Sequence, residues 1–87
     1  MYYVYIIYSQ KTNKFYVGST NDLTRRIEDH NRGKTPYSKT GMPWVLKYSE
    51  AFPGRSSAYR RELEIKRKKS RKYIERLISA GSDHPGI

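Results

Sequence analysis

Apolar and aromatic positions crowd into two short runs over the first twenty residues. Tyr2 to Ser9 reads YYVYIIYS, a β-branched and aromatic composition that predicts a strand. Lys11-Thr12-Asn13-Lys14 is a polar turn, and Phe15 to Ser19 is a second short strand, so the two should form a hairpin. Beyond Asp22, which can cap a helix, the apolar spacing lengthens to Leu23 and Ile27. That helix should end near Asn31-Arg32-Gly33, because glycine suits the left-handed residue after a C-terminus. Lys34 to Pro43 holds two prolines and a glycine and reads as a basic loop. Trp44 to Phe52 predicts a third strand, closed by Pro53-Gly54. Ser56 or Ser57 caps a second helix from Ala58 to about Lys69. Ser70 breaks or re-caps it before a last helix from Arg71 to Ser79, and Gly81 opens a short tail. The order ββαβαα predicts an α/β (α+β) fold, a small three-stranded antiparallel sheet flanked by about three helices.

Eighty-seven residues suffice for one core, so a single domain over residues 1–80 is expected, with residues 81–87 as a tail. The absence of cysteine excludes a disulfide framework and a thiolate zinc site. The opening MYYVYIIYS has no basic flank, and no run approaches the roughly 20 apolar residues of a membrane span. The expectation is a cytoplasmic protein with no signal peptide and no membrane partner.

Charge changes the picture. Lys and Arg number 18 against 8 Asp and Glu, a formal net charge of +10. From Arg55 to Arg76 there are ten basic residues and three acidic ones. Such a surplus collects polyanions, which makes nucleic acid the favoured partner. The phosphate-contact candidates are Lys66, Lys68, Lys69 and Arg71, with Lys39 in the preceding basic loop.

Helical phasing then singles out polar residues in apolar company. With residues at about 100° each and Leu23 at zero, Ile27, Arg26 and His30 share its side, and Arg25 points away. A half-buried guanidinium requires an anionic partner or a water-filled cleft, unless it snorkels to the helix edge. On the second helix Glu62 joins Ala58 and Ile65 on the half-apolar face, while Glu64 lies on the far side. Two readings of Glu62 stand open: an ion pair with Arg26 that ties two helices, or a ligand for Mg²⁺ or Mn²⁺. In the hairpin, Tyr16 and Gly18 share one face of the second strand, and a strand glycine marks a close approach.

These residues also carry a family pattern. Val4-Tyr5-Ile6 followed by Tyr16-Val17-Gly18 resembles the paired triplets of the GIY-YIG nuclease superfamily. Leu23-x-x-Arg26-x-x-x-His30 is similar to its first-helix signature, and Ala58 with Arg61-Glu62 and Ile65-Lys66 resembles its later helix. The closest likeness is to the small single-domain bacterial members. The resemblance runs from Tyr2 to about Ile78. It implies a divalent ion, Mg or Mn, held by Glu62, an Arg26 that stabilises transition-state charge, and a base among Tyr5, Tyr16 and His30. Gly18 is implied as the structural residue of the second triplet. The first triplet departs from the pattern as Val-Tyr-Ile, and Ser19 stands where excision-repair members carry lysine.

The leading reading is a metal-dependent nuclease acting on DNA, at flaps, junctions or damaged ends, with little base preference. A separate protein would supply site specificity. The alternative is a basic nucleic-acid-binding module that keeps the fold without useful catalysis. DNA is favoured over RNA because no aromatic stacking platform can be recognised in the sequence.

Overall fold

A computed structural model describes residues 1–81. The apolar run YYVYIIYS forms β1 (Tyr2–Ser9), and the run after the turn forms β2 (Lys14–Thr20). Asn13 turns the chain between them in the left-handed region at φ 57°, a conformation asparagine tolerates better than most residues. The guanidinium of Arg71 donates to the Asn13 carbonyl and to its Oδ1, both at 2.8 Å, tying the hairpin tip to a distant helix.

The third strand, β3 (Trp44–Phe52), completes an antiparallel sheet in the order β2-β1-β3. The sequence dictates which strand is central. β1 alone is apolar on both faces, and Val4, Tyr5, Ile6 and Ile7 are all fully buried. Its alternation feeds two cores. Val4 and Ile6 pack with Val17, Ala58 and Ile65 on one face, whereas Tyr5 and Ile7 pack with Trp44, Leu23 and Ile27 on the other.

The helices follow their local signals, with two differences from expectation. Asp22 caps α1 (Leu23–Asn31) by accepting from Arg25 N at 3.1 Å, and Gly33 is left-handed at φ 69°. The segment read as a basic loop contains a short helix, α2 (Pro36–Gly41). Thr35 caps it through a reciprocal pair with Ser38, and Pro36 occupies the first turn, where its missing N–H costs nothing. The prolines were therefore boundaries of a helix, not signs of an irregular loop. The second difference lies in α3 (Arg55–Lys68), which begins three residues before Ala58, with Gly54 as its cap residue. Ser56 and Ser57 sit inside its first turn, and Ser57 Oγ bonds back to the Gly54 carbonyl at 3.1 Å. Lys69 adopts φ 46° and ends that helix. Ser70 then caps α4 (Arg71–Ala80) through Tyr73 N. Of the expected tail only Gly81 is described; residues 82–87 lie outside the described residues.

One ionic clamp fixes α3 and α4 to the sheet. Arg61 meets Glu50 of β3 at 3.0 Å and Glu64 at 2.9 Å, and also donates to Tyr73 Oη. The Glu50 carboxylate holds the Arg61 charge well above its ordinary range, and Tyr48 bonds to the same carboxylate. Burial, reinforced by Glu50, pushes the Tyr48 hydroxyl up to about 12. Arg61 therefore serves the fold, whereas its neighbour Glu62 turns elsewhere. Among the described residues no helix is long and apolar enough to cross a membrane.

Candidate active site at the edge of the sheet

Tyr5 on β1 stands opposite Gly18 on β2. The tyrosine ring lies across that glycine so closely that a Cβ there would sit 2.6 Å from the hydroxyl and 2.8 Å from Cζ. Only a residue without a side chain leaves the ring this room. The Tyr5 hydroxyl is 3.0 Å from Nε2 of His30 on α1, whose ring lies 6.3 Å from that of Trp44. Tyr16, also on β2, sets its ring edge-on to His30 at 4.8 Å and tilts against Tyr5 at 6.2 Å.

Burial decides the protonation of this cluster. Tyr5 is fully buried, and desolvation, helped by Tyr16, raises its pKa well above the ordinary range, with Arg26 pulling weakly the other way. His30 is 4% exposed. Desolvation, with the Arg26 charge added, lowers its pKa below 6.5 against a weaker pull from Asp29. At neutral pH the pair is a neutral phenol beside a neutral imidazole, and the hydroxyl can donate to Nε2.

Arg26 lies on the site side of α1, as phasing requires, but it is exposed rather than half-buried. The helix is only nine residues long and rests on Leu23, Ile27 and His30, and the position between them is left open to solvent. There Arg26 lines a small pocket of about 160 Å³ with Tyr16, Asp29, His30 and Ser38. Arg25 is exposed as well and lies outside that pocket.

Glu62 comes from α3, on the opposite face of the sheet, and is 8% exposed. One carboxylate oxygen accepts from Ser19 Oγ at 2.6 Å, and the other accepts from Lys66 Nζ at 2.6 Å. The pair with Arg26 that phasing left open does not form: α1 and α3 lie on opposite faces, and Lys66, one turn along the same helix, is nearer. Ser19 follows Gly18 directly, so the carboxylate meets the sheet one residue from the Tyr5 hydroxyl's neighbour. Among the described residues no three His, Asp or Glu side chains cluster for a metal. Glu62 would be a lone protein ligand, an arrangement that suits Mg²⁺, which keeps most of its waters and takes one or two carboxylates together with phosphate oxygens. The residues fit such an ion, because a hydroxyl can rotate away and the Lys66 side chain is 47% exposed.

Along the free edge of β2, between α2 and the start of α4, runs a groove of about 570 Å³. Lys66, Lys69 and Arg71 line it, joined by Lys14, Tyr16 and Tyr37. Lys68 lies away from it, with Nζ 5.3 Å above the Tyr73 ring, and Lys39 sits on α2 beside Gly33. Three groups at this edge carried no readable signal. Ser19 passed as a departure from pattern, Lys14 as a turn residue and Tyr37 as part of a loop. Yet Tyr37 stacks on Trp44 at 5.9 Å, and Trp44 is anchored by its indole N–H on the Ser38 carbonyl at 2.9 Å.

Fold and site together define a small α+β domain whose polar cluster gathers where a tyrosine crosses a glycine at the sheet edge. The chain belongs to the GIY-YIG family: the GIY-YIG catalytic domain matches residues 1–74. It is similar to a UPF0213 protein of Staphylococcus haemolyticus, 48% identical over 66 residues, covering 75% of this chain and 79% of that protein. A UPF0213 protein of Halobacterium salinarum is 37% identical over 76% of this chain and 86% of its own length. Among solved structures, the solution NMR structure of a UPF0213 protein from Bacillus halodurans aligns with a TM-score of 0.60 at 36% identity. It covers 97% of this chain and 89% of that one. The family is one of nucleases, which generally use divalent metals, and it points to nucleic acid as the substrate.

Proposed function

We propose that this domain is a divalent-metal-dependent DNA phosphodiesterase that selects strand structure or damage rather than base sequence. The observation that carries the reading is that Tyr5, with His30 and Arg26 against it, lies over Gly18 on one face of the sheet while Glu62 meets the adjacent Ser19 from the other. These groups come from both faces of the sheet and from three separate elements, and a purely structural cluster would not require all four chemistries. Arg26, exposed on α1 with its charge felt by Tyr5 and His30, is positioned to meet a phosphate and to stabilise the extra negative charge of an in-line transition state. Glu62 would hold Mg²⁺ or Mn²⁺, which supplies charge neutralisation on the scissile phosphate.

Of the three candidate bases, Tyr5 is least suited to remove a proton from water, since its hydroxyl is buried and firmly protonated. Its role is to hold the His30 ring in place. His30 is uncharged at neutral pH but its Nε2 faces the Tyr5 hydroxyl, while half-buried Tyr16 borders both the groove and the Arg26 pocket. Tyr16 is therefore the group left to present its hydroxyl to the attacking water. The domain would work in the cytoplasm, with a second protein directing it to its sites.

One observation favours the alternative of a binding module without catalysis: both Glu62 oxygens are already engaged. A cleavage panel decides between them, using single-stranded, duplex, flap and junction DNA with Mg²⁺ or Mn²⁺. The nuclease reading expects metal-dependent products from the parent and none from Glu62→Gln or Arg26→Ala. Binding of every substrate with no product under either metal would establish the binding module.

A further inference from the structure

The groove along β2 has a character of its own. β2 pairs only with β1, so its outer edge is open, and the groove follows residues 13–17 of that edge. Its walls carry four cations, Lys14, Lys66, Lys69 and Arg71, and no carboxylate. Lys14 and Lys69 are exposed and make no ion pair within 4 Å among the described residues. Arg71 is different. Its guanidinium is bound to Asn13 and Glu75 and lies 5.0 Å over Phe15, so it forms a fixed positive wall. Groove volume is that of a small-ligand cleft, large enough for a base with its phosphate and far too narrow for a duplex.

The aromatic side of the groove completes the pattern. Tyr37 is 49% exposed although it is a large ring. Its inner face stacks on Trp44, and its edge meets Tyr16, 5.7 Å away. Trp44 is 3% exposed and anchored on Ser38, while the capping pair of Thr35 and Ser38 fixes the helix that carries the ring. An exposed tyrosine with a rigid aromatic backing, beside Lys14 and Lys69, unpaired among the described residues, and the fixed charge of Arg71, is the combination that binds single strands: bases stack and phosphates follow the charge. A folded duplex offers neither exposed base faces nor a single backbone of this width.

We propose that the groove along β2 seats an unpaired DNA strand, with a base stacked on Tyr37 and flanking phosphates on Lys14 and Lys69. This rests on the nuclease reading for its purpose, because Tyr16 and Lys66 border both groove and site and would deliver the strand to Gly18-Ser19. The substrate class is then DNA with a single-stranded segment next to the cut; the Tyr37–Trp44 platform removes the sequence-based ground for preferring DNA to RNA, so the choice of DNA rests on the nuclease reading and is tested by the oligouridylate arm.

The test measures binding apart from cleavage. In the full chain carrying Glu62→Gln, fluorescence anisotropy compares a labelled oligothymidylate, an oligouridylate and a blunt duplex, without metal. Tyr37→Ala should weaken oligothymidylate binding about tenfold, and Tyr37→Phe should not, while duplex binding stays unchanged. Lys14→Ala, an exposed strand position that leaves the aromatic stack untouched, should weaken the single strand and lower its salt slope by about 0.7. Thermal melts show whether Tyr37→Ala remains folded; if it does not, Lys14→Ala carries the decision. Equal losses for duplex and single strand, or no loss in either variant, would overturn the proposal. Tighter binding of oligouridylate than oligothymidylate would overturn the DNA assignment. Tyr37-dependent binding with a parent that cuts nothing would leave the groove standing and remove the nuclease, whereas a cutting parent indifferent to Tyr37 and Lys14 would do the reverse.

Discussion

Lys66 Nζ stands 2.6 Å from Oε2 of Glu62, one turn further along α3, while the Ser19 hydroxyl holds the other oxygen. The carboxylate is thus satisfied from its own helix and from β2, and no buried cation depends on it. Lys66, nearly half exposed, loses little if its partner goes.

Glu62→Gln, which keeps the shape and one acceptor oxygen, should therefore cost about 1–2 kcal/mol of stability, while abolishing metal-dependent cleavage. Lys66→Gln frees one oxygen of a competing cation and should tighten Mn²⁺ binding, read by calorimetry. A Glu62→Gln protein that melts far below the parent, together with a parent indifferent to Mn²⁺, would assign the carboxylate a structural task.

Neighbouring arginines give a sharper comparison. Both are exposed, but Arg26 alone joins Tyr16 and His30 in one pocket. Arg26→Ala should lower kcat by about 10² or more, and Arg25→Ala should lower only DNA affinity, by a small factor. Equal kcat losses in single-turnover assays would count against the assigned role.

The buried imidazole makes a pH prediction. His30 has its pKa lowered below 6.5 in the folded state, so the unfolded chain binds more protons in the window just under that value. The stability contributed by keeping His30 neutral is complete above pH of about 6.5 and falls as pH drops through the window. Melting temperatures taken between pH of about 7.5 and 5.5 should decline less for His30→Gln than for the parent. A parent melting curve flat over that range, or one matched by the variant, would contradict the burial argument.

Gly18→Ala forces a methyl against the Tyr5 ring, 2.6 Å from its hydroxyl and 2.8 Å from Cζ. Tyr5 is fully buried and cannot swing clear, so the variant should lose about 1–3 kcal/mol and most of its activity. Adding Tyr5→Phe removes only the nearest atom, and chemical denaturation should show partial rescue. Full stability in Gly18→Ala alone would mean the ring yields more easily than its packing suggests.

Local chemistry made much of this protein legible in its residues. The two-sided apolar run of β1, the Asp22 cap, the left-handed Gly33 and the Ser70 cap each act over a few residues, where spacing and side-chain type decide the outcome. Helical phasing likewise placed Arg26, His30 and Glu62 on inward sides, because an amphipathic helix has one face to bury. Partners across elements were a different matter. Glu62 meets Lys66 and Ser19 instead of Arg26 because the sheet separates α1 from α3, which pack into the two different cores on its opposite faces. Arg26 stays exposed although it shares a side of α1 with Leu23 and His30, because what covers a helix face comes from other elements, which no periodicity within the helix records. Tyr37 had no signal at all: its stack on Trp44 joins a short helix to the first residue of β3, and the groove it borders exists only where α2 and α4 flank the open edge of β2. Sequence alone determined the elements other than α2 and the first turn of α3, and most of their buried faces, since those depend on neighbours along the chain. Tertiary structure decided which charges meet and where a strand could lie, since those depend on distances that only the packed sheet fixes.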